Sequence, residues 1–454
     1  MQALFNKLFN LRAGEATVVA ILGFILFCNA LATQISGIAA VSGFLNTVGV
    51  NQILLVWFVG YGLVIVSASF QSLILDRFGR VTLMRWTSFA FAMVFLVLRL
   101  MFTFHVPSAI NYSLLYFLSD QQWLFFPLVF WTLGGDLVDT NKSKRMFPAI
   151  ASIGQIGKIV GIGIALIAPT VLAQIAASPV DVLNVNVLVY LLAYVIASTM
   201  LDQSKIRPIH QTPETIRETL VEGFNFVKEV AAFRFLVVAV LTATLCDTII
   251  EFWFLTTTDT AFGDGYQTFY SLYRLGVTLA MLGIQSVITA RLIERLTLKN
   301  SFLILPVTLL SGFVLMIAGA LTTNSAIMIV TAVIAMVVMR LARDTVNESA
   351  RKSFQTLVPE ERRGRVTNFV DNYMIAGGTM IGSLLTGIIV VIGLIFNLGD
   401  QYGFHYGYQI IGLLAALASL FAIMRMRATY DASMFNWRLK RRQRGQSVLS
   451  KLDF

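Results

Sequence analysis

The sequence predicts an all-α membrane protein, with twelve transmembrane helices arranged as two pseudo-symmetric six-helix bundles. Three observations lead to this prediction. The composition is strongly apolar, twelve apolar stretches have about the length of a membrane span, and several residues recur after an offset of 218 positions. Together they indicate a chain that is solvated by lipid and built from two related halves.

The composition sets the class of protein. Of the 454 residues, 57% are hydrophobic and 13% are charged, and the mean hydropathy is +0.77. Soluble domains typically contain about 45–50% apolar and about 25% charged residues. A soluble core of this chain length cannot hide so much apolar surface, so lipid must solvate much of it.

Twelve apolar stretches approach or exceed the length of a membrane span. A hydrocarbon core of ~30 Å requires about 20 residues of α-helix. The stretches are residues 18–42, 53–75, 81–104, 112–135, 147–173, 182–200, 233–257, 269–290, 302–321, 325–346, 366–396 and 408–424. We expect each of them to form one transmembrane helix.

The basic residues predict which side of the membrane each loop occupies. Lys and Arg recur in alternate loops, for example in residues 142–145 and 362–365. The intervening loops, which contain neither residue type, lie near Gly43, His105, Ser178, Asp259, Thr322 and Asp400. Because cytoplasmic loops are enriched in Lys and Arg, both termini are expected in the cytoplasm, and the membrane is expected to be a bacterial inner membrane. The net charge of +10 therefore indicates topology, not a nucleic-acid partner.

The 218-residue offset relates the first apolar stretch to the seventh. It pairs Cys28 with Cys246, Asn29 with Asp247, and Thr33 with Glu251. The same offset pairs Arg145 with Arg363, in the basic loops that follow the fourth and tenth stretches. Several matches at one offset favour an internal duplication, which is common in transporters.

The duplication predicts the domain boundaries. The two halves are residues 1–205 and 233–426, with a polar connection at 206–232 and a basic cytoplasmic tail at 427–454. Within the connection, Thr212-Pro213-Glu214 is typical of a helix start, so we expect an amphipathic helix through Val227 along the inner membrane face. The tail is expected near anionic headgroups, or on a protein partner.

A loop between the second and third stretches carries the most specific pattern. It reads Leu75-Asp76-Arg77-Phe78-Gly79-Arg80, and a partial copy reads Glu294-Arg295-Leu296-Thr297-Leu298-Lys299. An acid followed by Arg at this loop of both halves resembles the signature of the major facilitator superfamily. The resemblance covers essentially the whole chain in helix number, halves and charge placement. It implies a secondary transporter whose two bundles rock about a cavity at the membrane midplane.

The resemblance also implies a gate. In that family the loop acid faces the N-terminus of the eleventh helix, whose dipole attracts a negative charge. Asp76 would then face residues 366–368, and Glu294 would face the start of the fifth helix near Phe147. The residues of the two loops implied in gating are Asp76, Arg77, Gly79, Arg80, Glu294 and Arg295. The second copy has Thr297 in place of the glycine.

A finer resemblance is to the nucleotide exchanger branch of this superfamily, the ATP/ADP translocases of plastids and intracellular bacteria with their bacterial relatives. The residues that carry it are Asn10-Leu11-Arg12-Ala13-Gly14-Glu15, Phe130-Trp131, Lys144-Arg145-Met146-Phe147-Pro148 and the run from Glu348 to Arg351. It implies a nucleotide or phosphorylated metabolite as solute. Members of the branch carry a Lys and an Arg followed by Asp in the first helix, where this chain reads Ser36-Gly37-Ile38-Ala39-Ala40-Val41. The chain therefore lacks the first-helix cations that would be expected to bind a triphosphate.

Ionisable residues inside apolar stretches cost about 2.5–3.5 kcal/mol each on insertion scales, so they are functional candidates. Lys158 lies near the middle of the fifth stretch, too deep to reach the surface easily. We expect it either to bind the solute or to form a structural ion pair. On the first stretch Asn29, Thr33 and Gly37 follow helical spacing, which predicts a polar cavity wall and makes Asn29 and Thr33 candidate solute ligands.

Two carboxylates lie on one face of the seventh helix. Asp247 and Glu251 are four residues apart and therefore share a face. They could carry a coupling proton, bind a cation, or neutralise Lys158 and Arg274. Arg274, with Tyr270 one turn before it, is expected either to contact the solute or to pair with one of these acids.

Further charged residues follow on the other helices. Arg340, Arg343, Asp344 and Glu348 cluster at the inner end of the tenth stretch, where Arg340 to Asp344 and Asp344 to Glu348 are each one turn apart. This spacing favours an inner gate that includes Arg340 and Asp344. Arg99 is expected to pair with Asp120. The glycine series 154, 157 and 161, and the pair 378 and 382, predict close helix packing.

No enzymatic centre is indicated by the sequence. The histidines His105, His210 and His405 are scattered and offer no metal site, and Cys28 and Cys246 lie inside apolar stretches. We expect no cofactor, no metal and no catalytic residues.

The leading prediction is a secondary transporter, either an exchanger or proton-coupled, for an anionic or zwitterionic solute. The alternative is a transport-inactive scaffold or assembly factor on the same fold that binds another membrane complex. Two features motivate this alternative: the first helix lacks the cations, and only the loop at residues 75–80 matches the signature in full. Oligomeric state is not predicted.

Overall fold

The structure, a computed structural model, describes residues 15–138, 140–175, 178–201, 216–285, 289–322, 324–355, 358, 360–396 and 405–449. Within these ranges the side chains of residues 68–77, 140–141, 143–145, 216–220, 290, 293–294, 360–361, 363 and 434–449 are not described. The predicted gate residues Asp76, Arg77 and Glu294 fall in this second group, so their side-chain contacts lie outside the described residues.

The described residues are almost entirely helical, and we number the longer helices α1 to α12. In the first part of the chain these are α1 (Glu15–Thr47), α2 (Ile53–Arg77), α3 (Arg80–Thr103), α4 (Ser108–Leu137), α5 (Thr140–Gln174) and α6 (Leu183–Met200). The second part contains α7 (Ala231–Phe262), α8 (Tyr266–Ile284), α9 (Ile304–Leu321), α10 (Ser325–Leu341), α11 (Ile375–Ile395) and α12 (His405–Leu449). Shorter helices are named by their residues.

Ten stretches of the described residues are long and apolar enough to cross a membrane, which makes the chain an integral membrane protein. One of them, Ala231–Ile284, contains both α7 and α8, and α4 does not meet the criterion. α4 falls short of the criterion because the polar run Ser119-Asp120-Gln121-Gln122 lies at its centre. That all twelve helices span the membrane stays a prediction.

The chain divides into two compact units. Unit 1 contains Met1–Glu214 and Thr258–Thr278, and unit 2 contains Thr215–Thr257 and Leu279–Phe454. The end of α7 and most of α8 thus belong to unit 1. The two compact units do not coincide with the predicted halves, residues 1–205 and 233–426. Those halves describe the duplicated sequence, and as domain boundaries they stay a prediction.

Unit 1 is organised around α1, which packs against α4, α5 and α6. Its closest contact is with the glycine series of α5. A Cβ atom on Gly157 would lie 2.5 Å from the carbonyl oxygen of Phe27, and one on Gly161 would lie 2.5 Å from that of Leu31. Only glycine permits this backbone approach, as the sequence predicted for helix packing.

Unit 2 repeats this contact between α7 and α11. A Cβ atom on Gly378 would lie 2.5 Å from the carbonyl oxygen of Leu241, and one on Gly382 would lie 3.1 Å from that of Leu245. Phe27 and Leu245 are separated by the 218-residue offset. The two units therefore contain matching glycine seams.

Several helix ends differ from the sequence prediction. The tenth and eleventh helices both contain π-helical segments, at Ala342–Asn347 and Phe369–Met374, each adjoining further helix at Glu348–Gln355 and Glu360–Asn368. α12 does not end at residue 424 but continues to Leu449, so the predicted tail is helical over most of its length. Apolar periodicity marks only the membrane part of a helix, which explains these differences.

The connecting helix is Ile216–Glu229, close to the prediction. It packs against Glu360–Asn368, and Glu222 forms ion pairs with Arg362, at 3.1 Å, and with Arg365. Phe226 and Val227 are buried in the hydrophobic cluster of unit 2. These contacts attach the connecting helix to unit 2. Its position on the inner membrane face stays a prediction.

Candidate functional site

Unit 1 contains a buried network of uncharged side chains, which we call the neutral cluster: Ser36, Asn29, Gln122 and Tyr190. The Ser36 hydroxyl donates to Gln122 Oε1 at 2.5 Å, Gln122 Nε2 donates to the Tyr190 hydroxyl at 2.8 Å, and that hydroxyl donates to Asn29 Oδ1 at 2.8 Å. All four side chains are buried. The chain of hydrogen bonds joins α1, α4 and α6.

The neutral cluster gives Asn29 and Thr33 contacts within unit 1, and their predicted role as solute ligands stays a prediction. Asn29 points to α6 through Tyr190, and the Thr33 hydroxyl donates to the Asn29 carbonyl oxygen at 2.7 Å. Both residues are buried. Helical spacing places residues on one face, but it does not reveal whether that face meets a cavity or another helix.

Lys158 of α5 lies over an aromatic ring of α4. Its Nζ is 5.4 Å from the centre of the Trp123 ring, within the range of a cation–π interaction. Lys158 is partly exposed, and the Trp123 side chain is 59% exposed. Because both residues lie near the middle of their helices, this pair brings a positive charge and an indole together at the centre of α4 and α5.

Arg274 forms the second cation of unit 1. Its Cζ is 5.8 Å from the centre of the Tyr270 ring, and its Nη2 donates to Gln34 Oε1 of α1 at 2.7 Å. Tyr270 is held between Tyr266 and Tyr273, with ring centres 5.7 and 5.9 Å apart. The aromatic stack and the amide therefore orient the guanidinium within unit 1, and its two predicted roles, solute contact or pairing with Asp247 or Glu251, stay predictions.

Two contacts attach α8 to its neighbours within unit 1. Gln267 Nε2 of α8 donates to the Ala165 carbonyl oxygen of α5 at 3.0 Å. Further along α8, Arg274 contacts Gln34 of α1, whose Cβ would lie 3.1 Å from a Cβ on Gly161 of α5. Along these contacts the residue numbers of α8 rise while those of α5 fall, so the two helices run in opposite directions.

Unit 2 contains a second network, which we call the charged cluster: Asp247 and Glu251 of α7 with Arg340, Arg343 and Asp344. Arg340 Nη2 lies 2.6 Å from Glu251 Oε1, Arg343 Nε lies 2.6 Å from Asp344 Oδ1, and Arg343 Nη1 also pairs with Asp247. The exposed fraction of these side chains lies between 14% and 30%. The carboxylates of α7 thus pair with arginines of the tenth helix within unit 2, and their predicted neutralisation of Lys158 and Arg274 stays a prediction.

Asp247 lies at the centre of its helix. α7 begins at Ala231 and ends at Phe262. Asp247 therefore lies at the midpoint of α7, and Glu251 lies one turn further. The charged cluster is consequently central to unit 2.

The two clusters occupy corresponding positions in the duplicated sequence. The 218-residue offset pairs Asn29 with Asp247, Gln122 with Arg340, and Tyr190 with Tyr408. In unit 1 hydrogen bonds join the first members of the three pairs, Asn29, Gln122 and Tyr190. In unit 2 Asp247 and Arg340 belong to one ion-pair network. The 218-residue offset thus relates the polar side chains of the two clusters as well as the two glycine seams.

The predicted gate residues with described side chains have local contacts. Gly79 precedes α3 with φ −60°, an ordinary extended conformation, whereas Thr297 has φ 67°. The glycine of the first loop is therefore not required by a left-handed backbone. Arg80 Nε lies 3.3 Å from Asp136 Oδ2, and Arg295 is exposed.

Two further pairings differ from or extend the sequence analysis. Arg99 pairs with Asp181 and donates to Thr103 at 2.9 Å, so its predicted pairing with Asp120 is corrected. Asp181 also accepts from the Ser178 backbone in a capping box, which the sequence analysis did not consider. Within the part of the chain that the structure describes, no group of three His, Cys, Asp or Glu residues could hold a metal ion.

The sequence analysis missed Trp123, Gln34, Gln122 and Tyr190. An exposed indole at mid-helix is indistinguishable in sequence from a lipid-facing one. Gln122 and Tyr190 carried a signal, because the offset pairs them with Arg340 and Tyr408. Extending the offset comparison to every polar residue would have found both.

Solved membrane transporters share the fold of the chain. Nucleoside transporter NupG is 16% identical, with a TM-score of 0.57, and the match covers 92% of this chain and 99% of that one. A bacterial homologue of iron transporter ferroportin is 14% identical, with a TM-score of 0.62 and coverage of 90% and 98%. The POT family transporter PepTSo is 12% identical, with a TM-score of 0.60 and coverage of 92% and 98%.

At these identities the likeness shows the fold, and it agrees with the predicted major facilitator fold. Neither a protein-family model nor a curated protein matches the sequence. The finer resemblance to the nucleotide exchanger branch stays a prediction.

Proposed function

We propose that the protein is a secondary active transporter that moves an anionic or zwitterionic small solute by alternating access. The observation that carries the proposal is the presence of two cations on helices of unit 1, Lys158 on α5 and Arg274 on α8, each of them over an aromatic ring. The likeness in fold to solved transporters of nucleosides, peptides and iron supports transport as the general activity.

The placement of these cations has a physical explanation in solute binding. A lysine or arginine near the membrane centre is retained where it faces water or an opposite charge. Arg274 is bound by an uncharged amide, which orients it without neutralising it. An anion placed near both groups would gain charge-assisted hydrogen bonds. A carboxylate or a phosphate ester fits this arrangement, and a nucleotide or phosphorylated metabolite is the finer proposal.

The charged cluster of unit 2 is the proposed coupling element. Three carboxylates and two guanidiniums meet there at partial exposure, so protonation of one acid would change the set of ion pairs. Such a change can bias a two-state element. Both exchange and proton coupling remain candidates for the driving reaction. We also propose that Arg340 and Asp344 act in gating through these ion pairs, together with the two repeated loops at residues 75–80 and 294–299.

Solute counterflow in vesicles tests the proposal. Purified protein would be reconstituted into vesicles loaded with one anion, such as adenosine monophosphate or a dicarboxylate, and uptake of the labelled anion would be followed. We expect uptake above that of empty vesicles, and at least tenfold less with Lys158→Gln or Arg274→Gln. Lys352→Gln is the control, because this lysine is an exposed cation paired with Asp371 in unit 2. Equal uptake by all variants would contradict the role of the two cations.

The alternative, a transport-inactive scaffold, is not favoured by the fold likeness to transporters. It makes a distinct prediction. Vesicles would show no uptake of nucleotides, phosphates or organic anions, and one membrane protein would co-purify in constant proportion. The bacterial inner membrane, with both termini cytoplasmic, is part of the proposal, and cysteine accessibility at the two termini in intact cells and lysates checks it.

A further inference from the structure

The connecting helix carries apolar side chains on two of its faces. Phe226 and Val227 are buried in the hydrophobic cluster of unit 2, and they are 3% and 7% exposed. Val221 and Phe224, in contrast, are 50% and 57% exposed. A helix with one side packed and the other in water typically keeps its apolar residues on the packed side. The exposed apolar residues of this helix therefore need another explanation.

These residues belong to one side of the helix, which we call the exposed face. Val221, Phe224 and Lys228 follow the spacing i, i+3, i+7, which places them on a single side. Lys228 is exposed as well. Phe226 lies about 200° around the helix axis from Phe224, at about 100° per residue. Two apolar side chains are thus followed by a cation on the side of the helix opposite the packed one.

The position of the connecting helix indicates what lies against the exposed face. The helix ends at Glu229, and a stretch long and apolar enough to cross a membrane begins at Ala231. The helix also packs against Glu360–Asn368, and a second such stretch begins at Gly364. The glycine seam of unit 2 shows that α7 and α11 run parallel, so both stretches enter the membrane from the same side. The connecting helix therefore lies at the boundary between lipid and water.

Two exposed cations lie at this boundary. Lys228 is on the exposed face, and Arg234 is exposed on the first turn of α7. The Arg234 Nη2 donates to the Lys228 carbonyl oxygen at 2.8 Å, which brings the two basic residues together. Interfacial helices combine apolar side chains, which enter the headgroup boundary, with Lys or Arg, which bind anionic headgroups. A lipid fits both the apolar and the charged part of the face, and lipid also surrounds the adjoining membrane-crossing stretches.

We propose that the exposed face of the connecting helix binds the headgroup region of an anionic membrane leaflet. Val221 and Phe224 enter the boundary between headgroups and acyl chains, and Lys228 and Arg234 bind lipid phosphates. Ion pairs attach the connecting helix to unit 2, so this contact fixes unit 2 to the membrane surface. The inference concerns lipid, and it is independent of the solute and of the cations of unit 1.

Fluorescence quenching tests the inference on the full chain in vesicles of phosphatidylglycerol and phosphatidylcholine. Phe224→Cys is labelled with a fluorophore, and the label is selective because Cys28 and Cys246 are buried. The control is labelled Glu229→Cys, at a side chain that is 62% exposed and about 140° around the helix axis from Phe224. Lipid spin-labelled near the top of its acyl chains should quench the label at Phe224 at least about twofold more than the control. Iodide in the water should show the reverse order.

Three results decide the question. The expected order supports lipid on the exposed face. Stronger quenching at Phe224 by iodide than by lipid would place the face in water and overturn the inference. Protection of Phe224 from both quenchers would mean that a second copy of the chain or another protein covers the face, which also overturns it. Val221→Cys, one turn earlier on the same face, repeats the measurement if Phe224→Cys fails to fold.

The charge of the leaflet gives a second test. Spin-labelled phosphatidylglycerol should quench the label at Phe224 about twofold more than spin-labelled phosphatidylcholine, and the difference should shrink in about 1 M salt. Adding Lys228→Gln should reduce the difference. Adding Lys352→Gln should not, because this lysine, 54% exposed, is paired with Asp371 outside the exposed face. A preference for the anionic lipid that is absent, or that Lys228→Gln leaves unchanged, would overturn the inference.

Discussion

The neutral cluster of unit 1 and the charged cluster of unit 2 occupy corresponding positions but use different chemistry. In unit 1 the contacts are hydrogen bonds between uncharged groups, and in unit 2 they are ion pairs. Loss of one partner in an uncharged network leaves an unsatisfied polar group, whereas loss of one partner in an ion-pair network leaves an uncompensated charge. Unit 2 should therefore be the more sensitive of the two to mutation and to changes of protonation.

The largest difference is expected from Arg343→Gln. This substitution removes the guanidinium that pairs with both Asp247 and Asp344. Breaking a buried pair in this way costs about 3–5 kcal/mol, and partial exposure of the cluster favours the lower end. Denaturant unfolding in mixed micelles measures the loss. The double variant Arg343→Gln with Asp247→Asn should regain part of it, and an Arg343→Gln protein as stable as the wild type would contradict the ion-pair description.

The glycine seams should respond alike in both units. Gly157→Ala and Gly382→Ala introduce a methyl group against the backbones of Phe27 and Leu245, so each should destabilise by about 1–3 kcal/mol. The controls are Gly163→Ala and Gly387→Ala, where a Cβ atom meets nothing within 4 Å. Alanine is the better helix former there, so the controls should be neutral or slightly stabilising. Thermal unfolding of all four variants provides the comparison, and similar effects at seam and control sites would contradict close packing.

The tyrosines of the two units should differ in a smaller way. Tyr190→Phe removes a hydroxyl that accepts from Gln122 and donates to Asn29, and the loss should be about 1–2 kcal/mol. Tyr408→Phe removes a hydroxyl that lies 3.4 Å from His405 Nδ1, a longer and weaker contact. Unfolding should therefore show a larger effect for Tyr190→Phe. The reverse order would mean that the neutral cluster does not stabilise unit 1.

The smallest effect is expected from an exposed ion pair of unit 2. Lys299 Nζ lies 2.6 Å from Asp431 Oδ2, with exposed fractions of 34% and 73%. Exposed pairs contribute about 0–1 kcal/mol, so Lys299→Ala should change stability little, and the change should diminish as salt is raised. A loss comparable with that of Arg343→Gln would show that exposure does not separate the two kinds of ion pair.

The sequence predicted the membrane class, the twelve apolar stretches and the glycine seams, because these features depend on local composition and spacing. The fold likeness to solved transporters agrees with that prediction. The π-helical segments and the helical continuation of α12 were not predicted from the sequence, because neither feature produces an apolar periodicity.

The candidate site was predicted less completely. Lys158 and Arg274 were singled out from charge and depth alone, and the structure places each of them over an aromatic ring, while their role as solute ligands stays a prediction. The orientation of Asn29 toward Tyr190, and the partners of Asp247 and Glu251, depend on which helices are neighbours. Helical periodicity gives the face of a residue within one helix, but tertiary packing decides what that face contacts.

The assignment of Thr258–Thr278 to unit 1 has a practical consequence for protein engineering. The chain passes from one unit to the other at three points, after Glu214, Thr257 and Thr278. A fragment ending at Glu214 would lack Gln267 and Arg274, which bind Ala165 and Gln34. Chimeras with a protein of the same fold should therefore transplant residues 258–278 together with the N-terminal half, since exchange at a single crossover would separate these residues from the partners that they contact.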